Sequence, residues 1–190
     1  MLTTRFSSAL ALAVEAHATQ RRKGTQIPYI THPLAVAALT LEYGGDEDLA
    51  IAALLHDVIE DGGARYAFII RDNFGKRVAR VVQGCTDDIP NVAGVKLPWR
   101  ERKEKYLAHL NEADTDILLV AGCDKLANAR DILTDLNEIG VAVFKRFSAS
   151  QYETLWFYRQ LAEIFTQREA PMAARLATTV AKIEALSARF

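Results

Sequence analysis

The chain of 190 residues carries its first chemical signal in a short acidic segment that follows an apolar run. His56 and Asp57 come directly after residues 49–55, all of which are Ala, Ile or Leu, and Glu60 and Asp61 follow. In a helix, residues four positions apart share a face, so the histidine pairs with the glutamate and the two aspartates pair with each other. Clustered carboxylates repel one another unless a cation or protons neutralise them. The segment therefore predicts either a metal site with acids one turn further on, or a solvated acidic helix end around a packed histidine.

A second apolar segment carries an aspartate that needs a partner. Residues 116–128 are mostly apolar, and Asp124 stands in their interior, with Asn128 four positions later on the same face. An aspartate in such a place costs several kcal/mol unless it is paired or binds a metal. Either Asp124 is a metal ligand, or it forms an ion pair with Lys125 or Arg130; helical periodicity allows both.

A third segment, residues 21–33, combines basic residues with a histidine. Pro33 suits the first position of a helix, which places His32 at the cap, extended and able to face a neighbouring helix. Arg22 and Lys23 lie in a loop with glycine and proline breakers and offer charge for phosphate groups. The alternatives are an ordinary helix cap and a solvated basic turn.

Taken together, the three segments supply two histidines and two aspartates and no thiolate. This ligand set suits Mn²⁺, Fe²⁺ or Zn²⁺ with open coordination positions better than a closed structural zinc site. Spare carboxylates and a basic loop beside such a metal indicate hydrolysis of a phosphoester by activated water.

The elements that must position these residues are helices, because apolar residues recur at three- and four-residue spacing along most of the chain. Helices are predicted over residues 4–19, 33–44, 46–59, 64–72, 76–84, 99–111, 115–136, 149–167 and 171–187. Residues 20–31 and 86–98 are predicted as loops, and loops as long as the second are often lids or disordered segments. The pattern indicates one all-α domain over residues 1–190.

Composition argues against several classes of protein. Lys and Arg total 23 and Asp and Glu total 24, a net charge of −1, which argues against a generally nucleic-acid-binding surface. No apolar run approaches the ~20 residues that span a bilayer, and the first residues lack a secretory signal. Cys85 and Cys123 lie far apart, which disfavours a disulfide scaffold or a zinc finger. We expect a cytoplasmic protein without a membrane or nucleic-acid partner.

The segments RKGT, PYITHPLAVA, ALLHDVIED and DKLANAR form a pattern that is more specific than any one of them. Together they resemble the H…HD…D metal signature of HD-domain phosphohydrolases, and in particular the hydrolase domain of the RelA/SpoT homologues. The resemblance runs over roughly residues 5 to 165. The length of the chain is similar to that of the stand-alone small alarmone hydrolases of the metazoan SpoT-like type.

The resemblance implies a single HD-domain bundle of about eight to ten helices. It also implies Mn²⁺-dependent hydrolysis of the 3′-pyrophosphate of (p)ppGpp, the alarmone of the stringent response, to GDP or GTP and pyrophosphate. By the same resemblance, the metal ligands would be His32, His56, Asp57 and Asp124. The residues that position or deprotonate the attacking water would be Glu60 and Asp61. The nucleotide contacts would be Arg22, Lys23, Asn128 and, in a looser alignment, Tyr158.

The sequence departs from the family pattern at two positions near the nucleotide contacts. Ala127 stands where many members have histidine, and Gly24 where the long enzymes often have serine. His17 and His109 have no place in the pattern and are predicted to be packing or surface residues. The alternatives to an alarmone hydrolase are a hydrolase of another phosphorylated nucleotide such as NADPH and an inactive HD domain that binds a nucleotide or a protein. A divalent metal other than Mn²⁺ is also possible at the site.

Overall fold

The computed structural model describes residues 1–86 and 97–189, which fold into helices joined mostly by short turns. The helices are α1 (Thr4–Ala16), α2 (Thr31–Glu42), α3 (Glu47–Leu55), α4 (Val58–Gly62), α5 (Arg65–Phe74), α6 (Lys76–Cys85), α7 (Trp99–Glu112), α8 (Thr115–Ile139), a 3₁₀ helix (Gly140–Arg146), α9 (Gln151–Gln167) and α10 (Ala173–Ser187). The two described stretches contain no β-strand, only an isolated bridge between Arg21 and Pro28. The predicted all-α class is confirmed.

Helices α3 and α8 form the centre of the fold. Residues 49–55 of α3 are at most 5% exposed, because α1, α2, α6 and α8 surround that helix. Helix α8 packs against α2, α6, α10 and the 3₁₀ helix. Gly122 allows this packing, since a Cβ there would clash with the thioether of Met172. Polar residues at the end of α3 and in the middle of α8 are thereby carried into the interior.

Side-chain caps fix where the central helices begin. Asp46, Asp114 and Ser150 each accept a hydrogen bond from a backbone N–H of the first turn, at the starts of α3, α8 and α9. These caps satisfy N–H groups that have no partner within the helix. In the part of the chain that the structure describes, no helix has both the length and the apolar character needed to cross a membrane.

The largest departure from the sequence prediction is a break within the predicted helix 46–59. Helix α3 ends at Leu55 and α4 begins at Val58, so His56 and Asp57 form a joint between two helices. Neither glycine nor proline marks this joint. Instead, the imidazole of His56 hydrogen-bonds the carbonyl of Ala53, which uses an acceptor of the last turn of α3.

Smaller differences concern the ends of helices. Helix α2 begins at Thr31, so the prediction that His32 is the cap is wrong: His32 lies in the first turn, and Pro33 is the third helical residue. Helix α1 ends at Ala16 rather than near residue 19, and the 3₁₀ helix that follows α8 has no counterpart in the prediction. The predicted loop 86–98 falls mostly on residues 87–96, which lie outside the described residues.

Candidate active site

The joint between α3 and α4 presents His56 and Asp57 to the interior. His56 is 2% exposed, and its Nδ1 lies 2.8 Å from Ala53 O. Because a carbonyl only accepts, Nδ1 carries a proton, and the lone pair of the neutral ring is on Nε2. Nε2 lies 3.0 Å from Asp57 Oδ2, but it makes no hydrogen bond to any described residue. This imidazole therefore has a buried nitrogen in the orientation that a metal ligand requires.

Asp124 and His32 reach the same point from two other helices. Asp124 stands in the middle of α8 and His32 in the first turn of α2, and both are buried. His32 Nε2 lies 3.1 Å from Asp124 Oδ1 and 3.7 Å from Asp57 Oδ2. One ligand atom from each of His32, His56 and Asp124 lies within 4.8 Å of the others. The structure thus brings together the four residues predicted as metal ligands.

Neighbouring side chains orient the two carboxylates. Tyr29 OH donates to Asp57 Oδ2 at 2.6 Å, and Asn128 Nδ2 donates to Asp124 Oδ1 at 2.7 Å. Lys125 Nζ donates to Asp124 Oδ2 at 2.5 Å. The ion pair with Lys125 that the sequence allowed is therefore present, but it uses Oδ2 and leaves Oδ1 facing the histidines. Such outer contacts are typical of metal sites.

Burial and neighbouring charges shift the pKa values of the metal-binding residues in opposite directions. Burial alone lowers the pKa of His56, but Asp57 and Asp124 outweigh that effect and hold it well above its usual value. Burial raises the pKa of Asp124, but Lys125 and the histidines outweigh it and hold that pKa well below its usual value. Without a metal, ionised carboxylates therefore surround a protonated imidazole, and a cation can replace that proton.

The donor set fits a divalent metal ion. It combines two imidazoles with two carboxylates, and the side chains of Tyr29 and Asn128 support it from outside. Several divalent first-row ions accept such a borderline set.

A cavity of about 820 Å³ opens beside the metal-binding group. Tyr29 and Lys125, which hold the two carboxylates, form part of its wall. The residues predicted for catalysis and nucleotide contact that line this cavity are Arg22, Lys23, Glu60, Asp61, Asn128 and Tyr158. The structure thus places six of the ten predicted site residues on the wall of this cavity and the other four in the adjacent metal-binding group.

The wall also holds cationic and aromatic residues to which the sequence analysis assigned no role. They include Trp99, Lys103, Arg146 and Phe157. Lys103 Nζ lies 5.0 Å from the centre of the Phe157 ring. Arg22 Nη2 donates to Asn128 Oδ1 at 3.0 Å and to Asp131 Oδ2 at 2.6 Å. Cations and rings in one cavity suit an anion that carries an aromatic base.

Glu60 and Asp61 lie on the short helix α4, just beyond the joint. The Asp61 N–H donates to Asp57 O at 3.0 Å, so the predicted four-residue relation between the two aspartates survives the break. Burial, with Asp57 nearby, raises the pKa of Asp61 above its ordinary value. A raised pKa suits a carboxylate that accepts a proton near neutral pH.

Two residues near the site escaped the sequence analysis. Tyr29 is the second residue of the segment PYITHPLAVA and precedes His32 by three positions. Its place in this segment could have indicated that it lies near the site. His17, predicted as an ordinary packing or surface residue, is buried, with Nδ1 3.8 Å from Asp61 Oδ2. The spacing of His17 along the first helix does not distinguish it from a histidine that only packs in the core.

A profile of the HD domain matches residues 9–156 of the chain. The chain belongs to the HD-domain family. The matched residues contain the whole metal-binding group and most of the cavity wall. The predicted class of enzyme, a metal-dependent phosphohydrolase of the HD type, is confirmed.

The HD-domain chain is similar to named nucleotide hydrolases. It is 39% identical over 127 residues to the guanosine-3′,5′-bis(diphosphate) 3′-pyrophosphohydrolase MESH1 of Xenopus tropicalis, a match that covers 65% of this chain and 67% of that protein. For the Danio rerio protein of the same name the identity is 38% over 123 residues, which covers 63% and 64%. It is 35% identical over 134 residues to the bifunctional (p)ppGpp synthase/hydrolase SpoT of Escherichia coli K12, which covers 67% and 18%.

The fold of the HD-domain chain also matches a solved structure. A metazoan orthologue of SpoT that hydrolyses ppGpp superposes with a TM-score of 0.74 at 25% sequence identity, covering 96% of this chain and 95% of that chain. The predicted resemblance to the RelA/SpoT hydrolases is confirmed.

Proposed function

We propose that this protein hydrolyses the 3′-pyrophosphate of (p)ppGpp to GDP or GTP and pyrophosphate. The observation that carries the proposal is the buried group of two histidines and two aspartates beside a cavity with cationic and aromatic walls. Relatives named as hydrolases of this substrate support it. The cytoplasmic setting, a role in the stringent response and a single domain over residues 1–190 belong to the same proposal.

The ligands of the divalent metal ion in this proposal are His32, His56, Asp57 and Asp124, and Mn²⁺ is the first candidate. When bound, the ion supplies Lewis-acid activation of water and neutralises charge on the phosphate. The protein holds the ligands in place from outside through Ala53 O, Tyr29 OH and the Asn128 amide.

The cavity wall binds and orients the nucleotide. Arg22 and Lys23 enter from the loop before α2 and direct positive charge at the phosphate groups. Asn128, on α8, contacts the ribose or phosphate side of the nucleotide, and Tyr158, on α9, lies near the nucleotide. Groups fixed on helices restrict the orientation of the bound nucleotide, which lowers the barrier by proximity.

Glu60 and Asp61 handle the proton of the attacking water. Water attacks the phosphorus next to the 3′ oxygen of the ribose, and the bond between that phosphorus and the 3′ oxygen breaks. A carboxylate on α4 accepts the proton of the water, and the departing 3′ oxygen takes up a proton, so GDP or GTP and pyrophosphate leave. General base catalysis of this kind is typically worth about 10²–10⁴-fold in rate.

The test is an assay of the purified protein with Mn²⁺ and a panel of ppGpp, pppGpp, NADPH and cyclic dinucleotides, with products resolved by chromatography. We expect pyrophosphate together with GDP from ppGpp. Asp124→Ala should lose both metal and turnover, whereas His109→Ala, a change on the exposed side of α7, should keep both. Turnover of NADPH or a cyclic dinucleotide without turnover of ppGpp would overturn the proposed substrate.

A further inference from the structure

His17 is a buried polar residue outside the metal-binding group. It follows α1, its side chain is wholly buried, and its ring lies 4.9 Å from the ring of Tyr29. Its Nε2 has no hydrogen-bond partner among the described residues. Burying a polar atom without a hydrogen-bond partner destabilises the folded state. Apolar packing alone does not account for a histidine here.

Gln20 lies between His17 and the cavity. His17 Nδ1 is in close contact with Gln20 Oε1, and Gln20 forms part of the cavity wall. The backbone holds this glutamine at both ends, because its N–H donates to His17 O at 3.0 Å and its carbonyl accepts from Tyr29 N–H at 3.0 Å. The same Nδ1 of His17 lies 3.8 Å from Asp61 Oδ2, and Asp61 lines the cavity together with Gln20.

The chemistry of the two side chains determines which atom donates in the contact between His17 and Gln20. The side-chain oxygen of an amide only accepts hydrogen bonds. The contact with Gln20 Oε1 therefore requires that His17 donate from Nδ1. The neutral tautomer with its proton on Nδ1 leaves Nε2 as the unpartnered acceptor, which agrees with the surroundings of that atom.

We propose that His17 and Gln20 are a positioning pair that holds the carboxylate of Asp61 towards the cavity. The pair acts through Asp61 and does not touch the metal-binding group, so it affects the orientation of the proton acceptor and not the binding of the ion. The inference rests on the proposed function, because it assigns these residues to the proton transfer proposed above.

The first arm of the test needs no substrate. Long-range ¹H–¹⁵N correlation NMR on histidine-labelled protein reports which ring nitrogen carries the proton. We expect His17 to carry it on Nδ1, and its Nδ1 signal to shift in Gln20→Ala but not in Gln167→Ala, an exposed glutamine on α9. A proton on Nε2 alone, or an unchanged signal in Gln20→Ala, would overturn the pairing.

The second arm is kinetic. His17→Phe keeps a ring against Tyr29 and removes the donor, whereas His17→Asn places an amide N–H near the position of Nδ1. We expect His17→Phe and Gln20→Ala to lower kcat about 10- to 100-fold at unchanged KM and metal content, since a small misplacement of a reacting group costs about that much. His17→Asn should recover most of the loss.

The effect must also disappear when Asp61 cannot accept a proton. In an Asp61→Asn background, His17→Phe should cause no further loss of kcat, because residues that act as a unit are not additive. An equal loss in both backgrounds, or a loss of bound metal, would overturn the positioning role. If the unmodified protein turns over no ppGpp, the proposed function fails, and the NMR arm alone decides whether the pair exists.

Discussion

Tyr29 joins the loop before α2 to the metal-binding group through a hydrogen bond of its side chain. Its hydroxyl donates to Asp57 Oδ2, and burial together with Asp57 raises its pKa, so the hydroxyl remains a donor at neutral pH. Without this contact, Asp57 is free to rotate away from the histidines. The hydroxyl therefore has a role in metal affinity that the shape of the ring does not replace.

We expect Tyr29→Phe to weaken metal binding about 10- to 100-fold, the usual effect of losing a hydrogen bond to a ligand. Calorimetric titration of the metal-free protein with Mn²⁺ measures the change, and circular dichroism checks that the helices remain. The matched control is Tyr152→Phe, since Tyr152 is 71% exposed and lies away from the cavity. An unchanged Kd in Tyr29→Phe would remove the hydroxyl from the site.

Single residues differ in how far sequence reveals them. His56 and Asp124 were predictable because an ionisable side chain inside an apolar helix needs a partner. The relation between His17 and Asp61 was not, because it depends on how α1 approaches α4, and helical spacing contains no information on that distance. The sequence thus reveals ionisable residues whose burial is energetically costly more readily than it reveals the neighbours that hydrogen-bond or pack against them.

At the scale of elements, the break between α3 and α4 matters most for the site. In a continuous helix, adjacent side chains diverge by about 100°. The joint places His56 Nε2 3.0 Å from Asp57 Oδ2, so both side chains face the same point. The sequence pattern hid the break, because apolar residues continue through it and no glycine or proline interrupts them. By contrast, the limits of α6 and α7 were predicted within a residue or so, and Gly75 and Pro98 mark where these two helices begin.

The loop that carries Arg22 and Lys23 depends on Gly24 for two reasons. Gly24 has a φ of +70°, and a Cβ there would meet Arg146 Cδ at 2.9 Å. Gly44 has a φ of +86° but open space around it, so it is a control for backbone strain alone. We expect Gly44→Ala to cost about 1 kcal/mol of unfolding free energy and Gly24→Ala to cost more.

Urea unfolding of both variants measures that difference. Because the extra cost of Gly24→Ala comes from the contact with Arg146, adding Arg146→Ala to it should remove most of the excess. Equal costs for the two glycine variants would mean that the guanidinium moves aside without a penalty, and that the contact does not constrain the loop.

At the scale of the whole molecule, α8 connects the parts of the chain. Helices α2, α3 and α6 pack on it from the first half, and α9 and α10 from the second, although the HD profile ends at residue 156. Shared packing on one central helix predicts that these parts unfold together. Trp99 and Trp156, whose ring centres lie 6.5 Å apart at the contact of α7 and α9, report on the second half.

We therefore expect a single cooperative transition in denaturant, with coincident midpoints from far-ultraviolet circular dichroism and from tryptophan fluorescence. Circular dichroism follows all helices, whereas fluorescence follows only the region around α7 and α9. Two separated midpoints would show that the second half unfolds independently and would contradict a single domain over residues 1–190.

The stability of the whole molecule should depend on metal and pH together. In the metal-free protein, the raised pKa of His56 contributes stability that is fully present below its ordinary value of 6.5 and is lost as pH rises through the raised value. The lowered pKa values of Asp57 and Asp124 contribute stability above 3.8 that is lost as pH falls. A bound ion must displace the proton from His56, so its apparent affinity rises with pH.

We expect the increase in Tm on adding a fixed, subsaturating concentration of Mn²⁺ to be larger at pH 8 than at pH 6. An ion that binds only the folded state stabilises it in proportion to the logarithm of one plus the ratio of its concentration to Kd, and Kd is lower at the higher pH. Differential scanning fluorimetry at both pH values measures the increase. His56→Gln, which has no proton to release at this position, should show a smaller increase and a smaller difference between the two pH values. If the unmodified protein gave equal increases at both pH values, the ion would not compete with the His56 proton, and the assignment of His56 as a ligand would fail.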